Sequence, residues 1–178
     1  MKRSESEGPK TSAAIAALRA QADPERARVY AWFFETGPGQ YGEGDEFLGR
    51  RLPQIRALAR TFAALPLGEI EKILASTFHE ARLFALIVLV RRYEKADGDR
   101  REAAFHAYID NIDKVNNRDL VDLSARIIGL HLQHGDPAFL YDLVESGPLW
   151  HHRNARRGYL DMKTLKQPGR RPARSRTV

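Results

Sequence analysis

The run His79-Glu80-Ala81-Arg82-Leu83-Phe84-Ala85-Leu86-Ile87-Val88-Leu89-Val90-Arg91-Arg92-Tyr93 decides the fold class of this 178-residue chain. It is long and mostly apolar, the pattern of a helix buried on several sides. Its strongly apolar part, residues 83–90, is too short to cross a bilayer. Upstream, residues 11–20 are alanine-rich and helix-favouring. Asp23-Pro24-Glu25 is a helix start, with Asp23 as N-cap and Pro24 in the first turn. That helix carries Val29, Tyr30, Trp32, Phe33 and Phe34 and ends at the breaker cluster Gly37-Pro38-Gly39. Residues 37–52 are glycine-rich and irregular. Pro53 opens a helix with Ile55, Leu58, Ala59 and Phe62 at helical spacing, and residues 67–74 form a short one. Downstream, Asp97-Gly98-Asp99 is a turn before an amphipathic helix over 101–109. Asn117 is placed to cap a helix that holds Asp119 and Asp122 and runs to about His131. Asp136-Pro137 starts another, through Phe139, Leu140 and Leu143, broken at Gly147-Pro148.

No segment needs a strand, because valine and isoleucine cluster at helical periods. Short helices on short connections, near ~20 residues per helix and turn, predict an all-α helical repeat, a HEAT/armadillo-like α-solenoid. A compact helical bundle leaves much the same pattern. The length and 43% apolar content fit one domain with a sizeable core. No cysteine is present, which excludes disulfides and thiolate metal sites. Residues 1–10 are polar, without an apolar segment of the signal-peptide kind. The expectation is a soluble, cytoplasmic monomer with no membrane partner. Charge is unevenly spread: the chain is +6 and residues 156–178 are +7, which leaves residues 1–155 at −1. The basicity therefore belongs to the tail, which composition marks as disordered.

The stretch that carries chemistry is Asn116-Asn117-Arg118-Asp119-Leu120-Val121-Asp122-Leu123-Ser124-Ala125. Arg118 and Asp122, four residues apart, share one helix face. This N-N-x-D-L-V-D-x-S-A pattern resembles the block that carries the catalytic carboxylate of the AlkD-like DNA alkylation repair glycosylases, which have tryptophan where this chain has Arg118. A second block is similar to the family's F-K-T-G-x-G-x-Y-G-x-G-D-x-F-x-G-V-R-x-P. It runs from Phe33-Phe34-Glu35-Thr36-Gly37 through Tyr41-Gly42-Glu43-Gly44-Asp45 and Phe47 to Gly49-Arg50-Arg51-Leu52-Pro53, with Arg50 in the valine's place. Ser76-Thr77-Phe78-His79-Glu80-Ala81-Arg82 resembles S-x-x-H-E-x-R, and Leu149-Trp150-His151-His152-Arg153 resembles L-W-x-R-R. Together these cover residues 25–155. Past Ala155 the likeness stops, so the last third of the family's fold is expected to be missing or replaced, by divergence or by a frameshift.

The resemblance implies residues 1–22 as an N-terminal extension with a first helix. Residues 23–155 are then a HEAT-like alkylation-repair domain, incomplete at its C-terminal end, and 156–178 a tail. It implies hydrolysis of the N-glycosidic bond of N3- or N7-alkylated purines in duplex DNA, the 3-methyladenine and 7-methylguanine type, with no metal or other cofactor. Such a base is already cationic and leaves without an added proton, so one carboxylate can stabilise the sugar cation and orient water. By the resemblance that carboxylate is Asp122, and Arg153 contacts DNA near the lesion. Family members use no deep flipping pocket, so base extrusion is not implied. Arg118 can bind phosphate but can also pair with Asp122, which implies weak or no excision with DNA affinity kept. Lys114 and Arg51 are further DNA-binding candidates. With Arg50, Arg56, Arg60 and Arg126 they are candidates to line one concave basic surface, but the sequence does not place them on a common side, and Arg91-Arg92 and Arg100-Arg101 read equally as solvated helix faces.

Plainer readings stand beside these. Asp119 reads by itself as a surface acid or cap partner, and His79 as structural at a helix start. His79-Glu80 opens like a zinc-protease motif, but Leu83 stands where the second histidine is needed. His131, His134, His151 and His152 lack a matching carboxylate cluster. Trp32, Phe33 and Phe34 read as core, not as a stacking platform. Tyr41-Gly42-Glu43-Gly44 has no strand before it, as a dinucleotide loop requires. The alternative function is a catalytically inactive helical-repeat scaffold that binds nucleic acid or protein. A third is a chain that folds poorly for want of terminal repeats and melts broadly.

Overall fold

The apolar run at 79–93 is a helix, and most of the other described helices pack around it. The computed structural model describes residues 10–165 other than 41, 134, 136 and 146. In order they form α1 (Thr11–Arg19), α2 (Pro24–Phe33), α3 (Leu52–Thr61), α4 (Leu67–Leu74), α5 (His79–Lys95) and α6 (Gly98–Ile109). A 3-10 turn (Ile112–Lys114) leads to α7 (Arg118–Ser124), α8 (Arg126–His131), α9 (Ala138–Glu145) and α10 (Leu149–Leu165). Among the described residues the fold is all-α, consistent with a helical-repeat arrangement, and the only extended pairing is an isolated parallel bridge between Glu46 and Phe78. None of these helices is long and apolar enough to cross a membrane.

Helix α5 is buried at every position from His79 to Leu89. Helices α3, α4, α6, α7 and α8 pack around it, and α10 covers α7, α8 and α9. Leu86 and Leu89 are wholly enclosed, and each such leucine contributes about 2 kcal/mol of transfer free energy. The apolar faces of its neighbours are narrower: Ile70, Ile73 and Leu74 of α4 and Ile55 and Ala59 of α3. Asp23 caps α2 as its sequence predicts, its carboxylate accepting from the Arg26 amide at 3.0 Å.

Three expectations need correction. The helix over Asp119 and Asp122 does not run unbroken to His131: it is divided at Ala125, where Ser124 Oγ donates back to the Leu120 carbonyl at 2.6 Å. Such back-bonding competes with the helix's own ladder. Asn117 stands at the N-cap of α7, but its side chain makes no capping bond. Third, residues 156–165, expected to open an irregular tail, continue α10. Asn154, Ala155 and Gly158 turn inward there, so the basic residues between them occupy the outer face of an ordered helix. The Asp136 start signal, His134, Tyr41, residues 1–9 and tail residues 166–178 lie outside the described residues.

Candidate functional site

Helix α7 divides two concavities, and the two aspartates of its sequence face different ones. Asp122 belongs to a groove of about 450 Å³ between α7 and α10, lined by Arg118, Arg153, Arg156 and Arg157. Its carboxylate is 48% exposed. Arg118 Nε lies 3.7 Å from one oxygen and Arg157 Nη1 3.7 Å from the other. Arg157 Nε also sits 3.5 Å from Asp161, whose carboxyl burial pushes up in spite of that neighbour. Arg153 lies over the Trp150 ring, its guanidinium carbon 4.6 Å from the centroid.

Buried polar contacts hold α10 against α7. The Tyr108 hydroxyl donates to Asn154 Oδ1 at 2.7 Å and lies 3.1 Å from Ser124 Oγ, while Asn154 Nδ2 donates to the Trp150 carbonyl at 2.8 Å. Burial holds the Tyr108 phenol well above its ordinary pKa. Nearby, α8 and α10 meet through glycines. A Cβ on Gly158 would stand 2.4 Å from Ile128, and one on Gly129 would stand 2.8 Å from the Asp161 side chain. The register of Arg153, Arg156 and Arg157 against Asp122 is therefore fixed by the core behind them.

Of the residues singled out in the sequence, the groove brings together Asp122, Arg118 and Arg153. Lys114, in the 3-10 turn, and Arg51, which precedes α3, do not line it. Arg50 is not on a surface at all. It is 4% exposed, and its guanidinium donates to the Ala17 and Leu18 carbonyls at 3.3 Å each, closing the end of α1 beside Glu80. Arg126 pairs with Glu94 at 2.7 Å. Of the basic residues that were candidates for one concave surface, the groove gathers Arg118 and Arg153. Arg156 and Arg157 were missed because charge alone placed them in a tail. Their signal was Ala155, Gly158 and Met162, small or apolar residues at helical spacing.

Asp119 faces the second concavity, a cleft of about 370 Å³ between α2 and α5. Its Oδ2 lies 2.8 Å from Nε2 of His79, whose side chain is 3% exposed. The imidazole is stacked by Phe34 and Phe47 at centroid distances of 4.9 and 5.0 Å. Asp45, bound by Arg82 at 2.5 Å, lies 3.7 Å from its other nitrogen. Burial drives the His79 pKa down, but Asp119 and Asp45 outweigh it and leave it above the ordinary value. Burial likewise pushes Asp45 up, and its His79 and Arg82 contacts prevail and hold it low.

Trp32 and Phe33 are not core: they are 82% and 65% exposed on the lip of this cleft. Among the described residues no helix covers that side, and α2 has no buried residue; Tyr30 and Phe34 turn inward, both to Phe47 and Phe34 also to His79. The motif around His79 organises the glycine-rich segment. Glu80 accepts from the amides of Leu48, Gly49 and Arg50 at 2.9, 2.8 and 3.1 Å. Gly49, at φ +75°, leaves no room for a side chain: its Cβ would stand 2.1 Å from the Asp23 carbonyl.

An exposed carboxylate ringed by arginines suits a polyanion with a cationic centre near Asp122, and the aromatic cleft suits a flat ring. Among the described residues no cluster of three or more histidine or acidic side chains forms a metal-holding group. The sequence model of a family described as DNA alkylation repair enzyme matches residues 14–170, further at both ends than the motif-bearing span 25–155. No curated protein and no solved structure matches the chain.

Proposed function

The chain belongs to the DNA alkylation repair enzyme family, and from that premise we propose that it is a DNA glycosylase for N3- or N7-alkylated purines in duplex DNA. One observation carries the reading: Asp122 of α7 and Arg153 of α10 are far apart in sequence but line one groove, with Arg118, Arg156 and Arg157 beside them. Arginines of this kind bind backbone phosphates. Asp122 is then placed to face the sugar of the lesion. The C1′–N bond breaks with its electron pair going to the base, which discharges the cationic ring. Water oriented by Asp122 bonds to C1′ and releases its proton to the carboxylate or solvent. Half-exposed Asp122 needs no proton to give; its charge offsets the oxocarbenium-like cation. The helix layers are read as HEAT-like repeats, with α10 as part of the domain.

The test is to incubate the chain with methylated duplex DNA and quantify free 3-methyladenine and 7-methylguanine. The wild type should release base, and Asp122→Asn should release none while keeping its duplex affinity. Equal release by both would remove Asp122 from the mechanism.

The arginines flanking Asp122 favour a second reading. Two guanidiniums 3.7 Å from its oxygens neutralise part of the anion that the transition state needs. On this reading the chain is a non-catalytic scaffold that keeps its DNA affinity. Arg118→Trp separates the two: excision gained on that substitution makes the remaining site competent, and none gained favours the scaffold.

A further inference from the structure

The excision chemistry uses the groove and leaves the cleft on the other side of α7 without a role. That cleft has the character of a binding site. Trp32, Phe33, Val29 and Leu52 are 82%, 65%, 59% and 37% exposed around one opening. Large exposed apolar residues gathered at one place mark a contact surface. The floor is different in kind. There the Asp119 side chain, 38% exposed, is held at 2.8 Å by a histidine that is itself buried and packed against the rings of Phe34 and Phe47. One acceptor is thus fixed at the end of an aromatic slot, a geometry that suits a flat heteroaromatic ring with an N–H on its edge.

Position selects among such rings. Asp119 directly follows Arg118, which lines the groove with Arg153, Arg156 and Arg157. Cations that seek phosphate and aromatics that seek a ring therefore flank the first turn of one helix, and a nucleotide carries both complements. We propose that the cleft seats a nucleobase displaced from the duplex held in the arginine groove, its face against Trp32 and Phe33 and one N–H donated to Asp119. The inference rests on the DNA-binding reading of that groove. The seated base lies beside Asp122's groove, not in it, so excision does not require the lesion itself to enter a pocket.

The experiment compares two fluorescently labelled duplexes by anisotropy, one fully paired and one with a single bulged base. The wild type should bind the bulged duplex about tenfold more tightly, in line with the contribution of one base stacked on an aromatic side chain. Trp32→Ala and Phe33→Ala should abolish that preference and leave paired-duplex affinity unchanged. Both residues are exposed, so neither change threatens folding. Arg156→Ala should weaken both duplexes alike. A bulged 5-iodouracil, irradiated in the complex, should cross-link to the peptide that contains Trp32 and Phe33. Equal affinity for the two duplexes, a preference that survives both aromatic variants, or a cross-link elsewhere would overturn the cleft assignment while leaving the groove intact. Failure to bind even the paired duplex would overturn both.

Discussion

The two sides of α7 solve opposite problems with similar residues. On the cleft side, His79, Glu80, Arg82 and the Asp45 carboxylate are almost wholly buried, and their partners lie at 2.5–3.1 Å apart from the 3.7 Å His79–Asp45 contact. On the groove side, Arg118 is 84% exposed, Asp122 48% and Arg157 44%, with ion pairs of 3.5–3.7 Å. Buried charges are costly to leave unpaired and so become part of the fold. Exposed ones at those distances contribute little to stability and can be exchanged for a ligand's phosphates. The same residue chemistry builds scaffold on one side and an open, loosely paired surface on the other.

Substitutions should separate the two sides. The largest effect is expected from Glu80→Ala, which strands three backbone amides and removes the opposite charge beside the buried Arg50 guanidinium. Chemical denaturation should show a loss of about 3 kcal/mol or more. A smaller loss, about 1–2 kcal/mol, is expected from Tyr108→Phe, which removes the hydroxyl that joins α6 to α7 and α10. If Tyr108→Phe also weakens DNA binding, the groove depends on that contact for its shape.

The His79 pair should appear as a pH dependence. Its folded pKa is raised, so its stabilising contribution is fully present below the unfolded value near 6.5 and is lost as pH rises through the folded one. Denaturation across about pH 6 to 9 should therefore show the wild-type advantage over His79→Gln shrinking upward. The Asp45 contribution runs the other way. It is present above the unfolded value of 3.8 and lost as pH falls through the depressed folded one. Least of all, Arg118→Ala and Arg157→Ala should change stability by under about 0.5 kcal/mol, measured by the same denaturation. A loss of several kcal/mol from either would erase the contrast between the two sides.

What the sequence disclosed follows the same division. Helix starts written in local chemistry, such as Asp23-Pro24, were legible, and so was the i,i+4 relation of Arg118 to Asp122. The His79–Asp119 contact spans 40 residues and leaves no periodic trace. Arg50 looked like a surface cation because nothing near it in sequence reveals that the end of α1 lies over it. Trp32 and Phe33 looked like core because hydrophobicity reports what a side chain prefers, and not whether the fold supplies a neighbour to cover it. The ordered part of α10 was hidden by its own arginines, since net charge speaks to solvation and says nothing of the small residues that face inward.

Glu80 also bears on how the molecule meets a ligand. By gripping three successive amides of the segment before α3, it makes an irregular stretch move as part of α5. Asp23 donates its amide to the Leu48 carbonyl at 2.8 Å and so fastens α2 to the same segment. The wall and floor of the aromatic cleft are thus tied to a single rigid support. A ring entering it meets a preorganised slot, and the entropy of arranging that slot is spent when the chain folds, not when the ligand arrives.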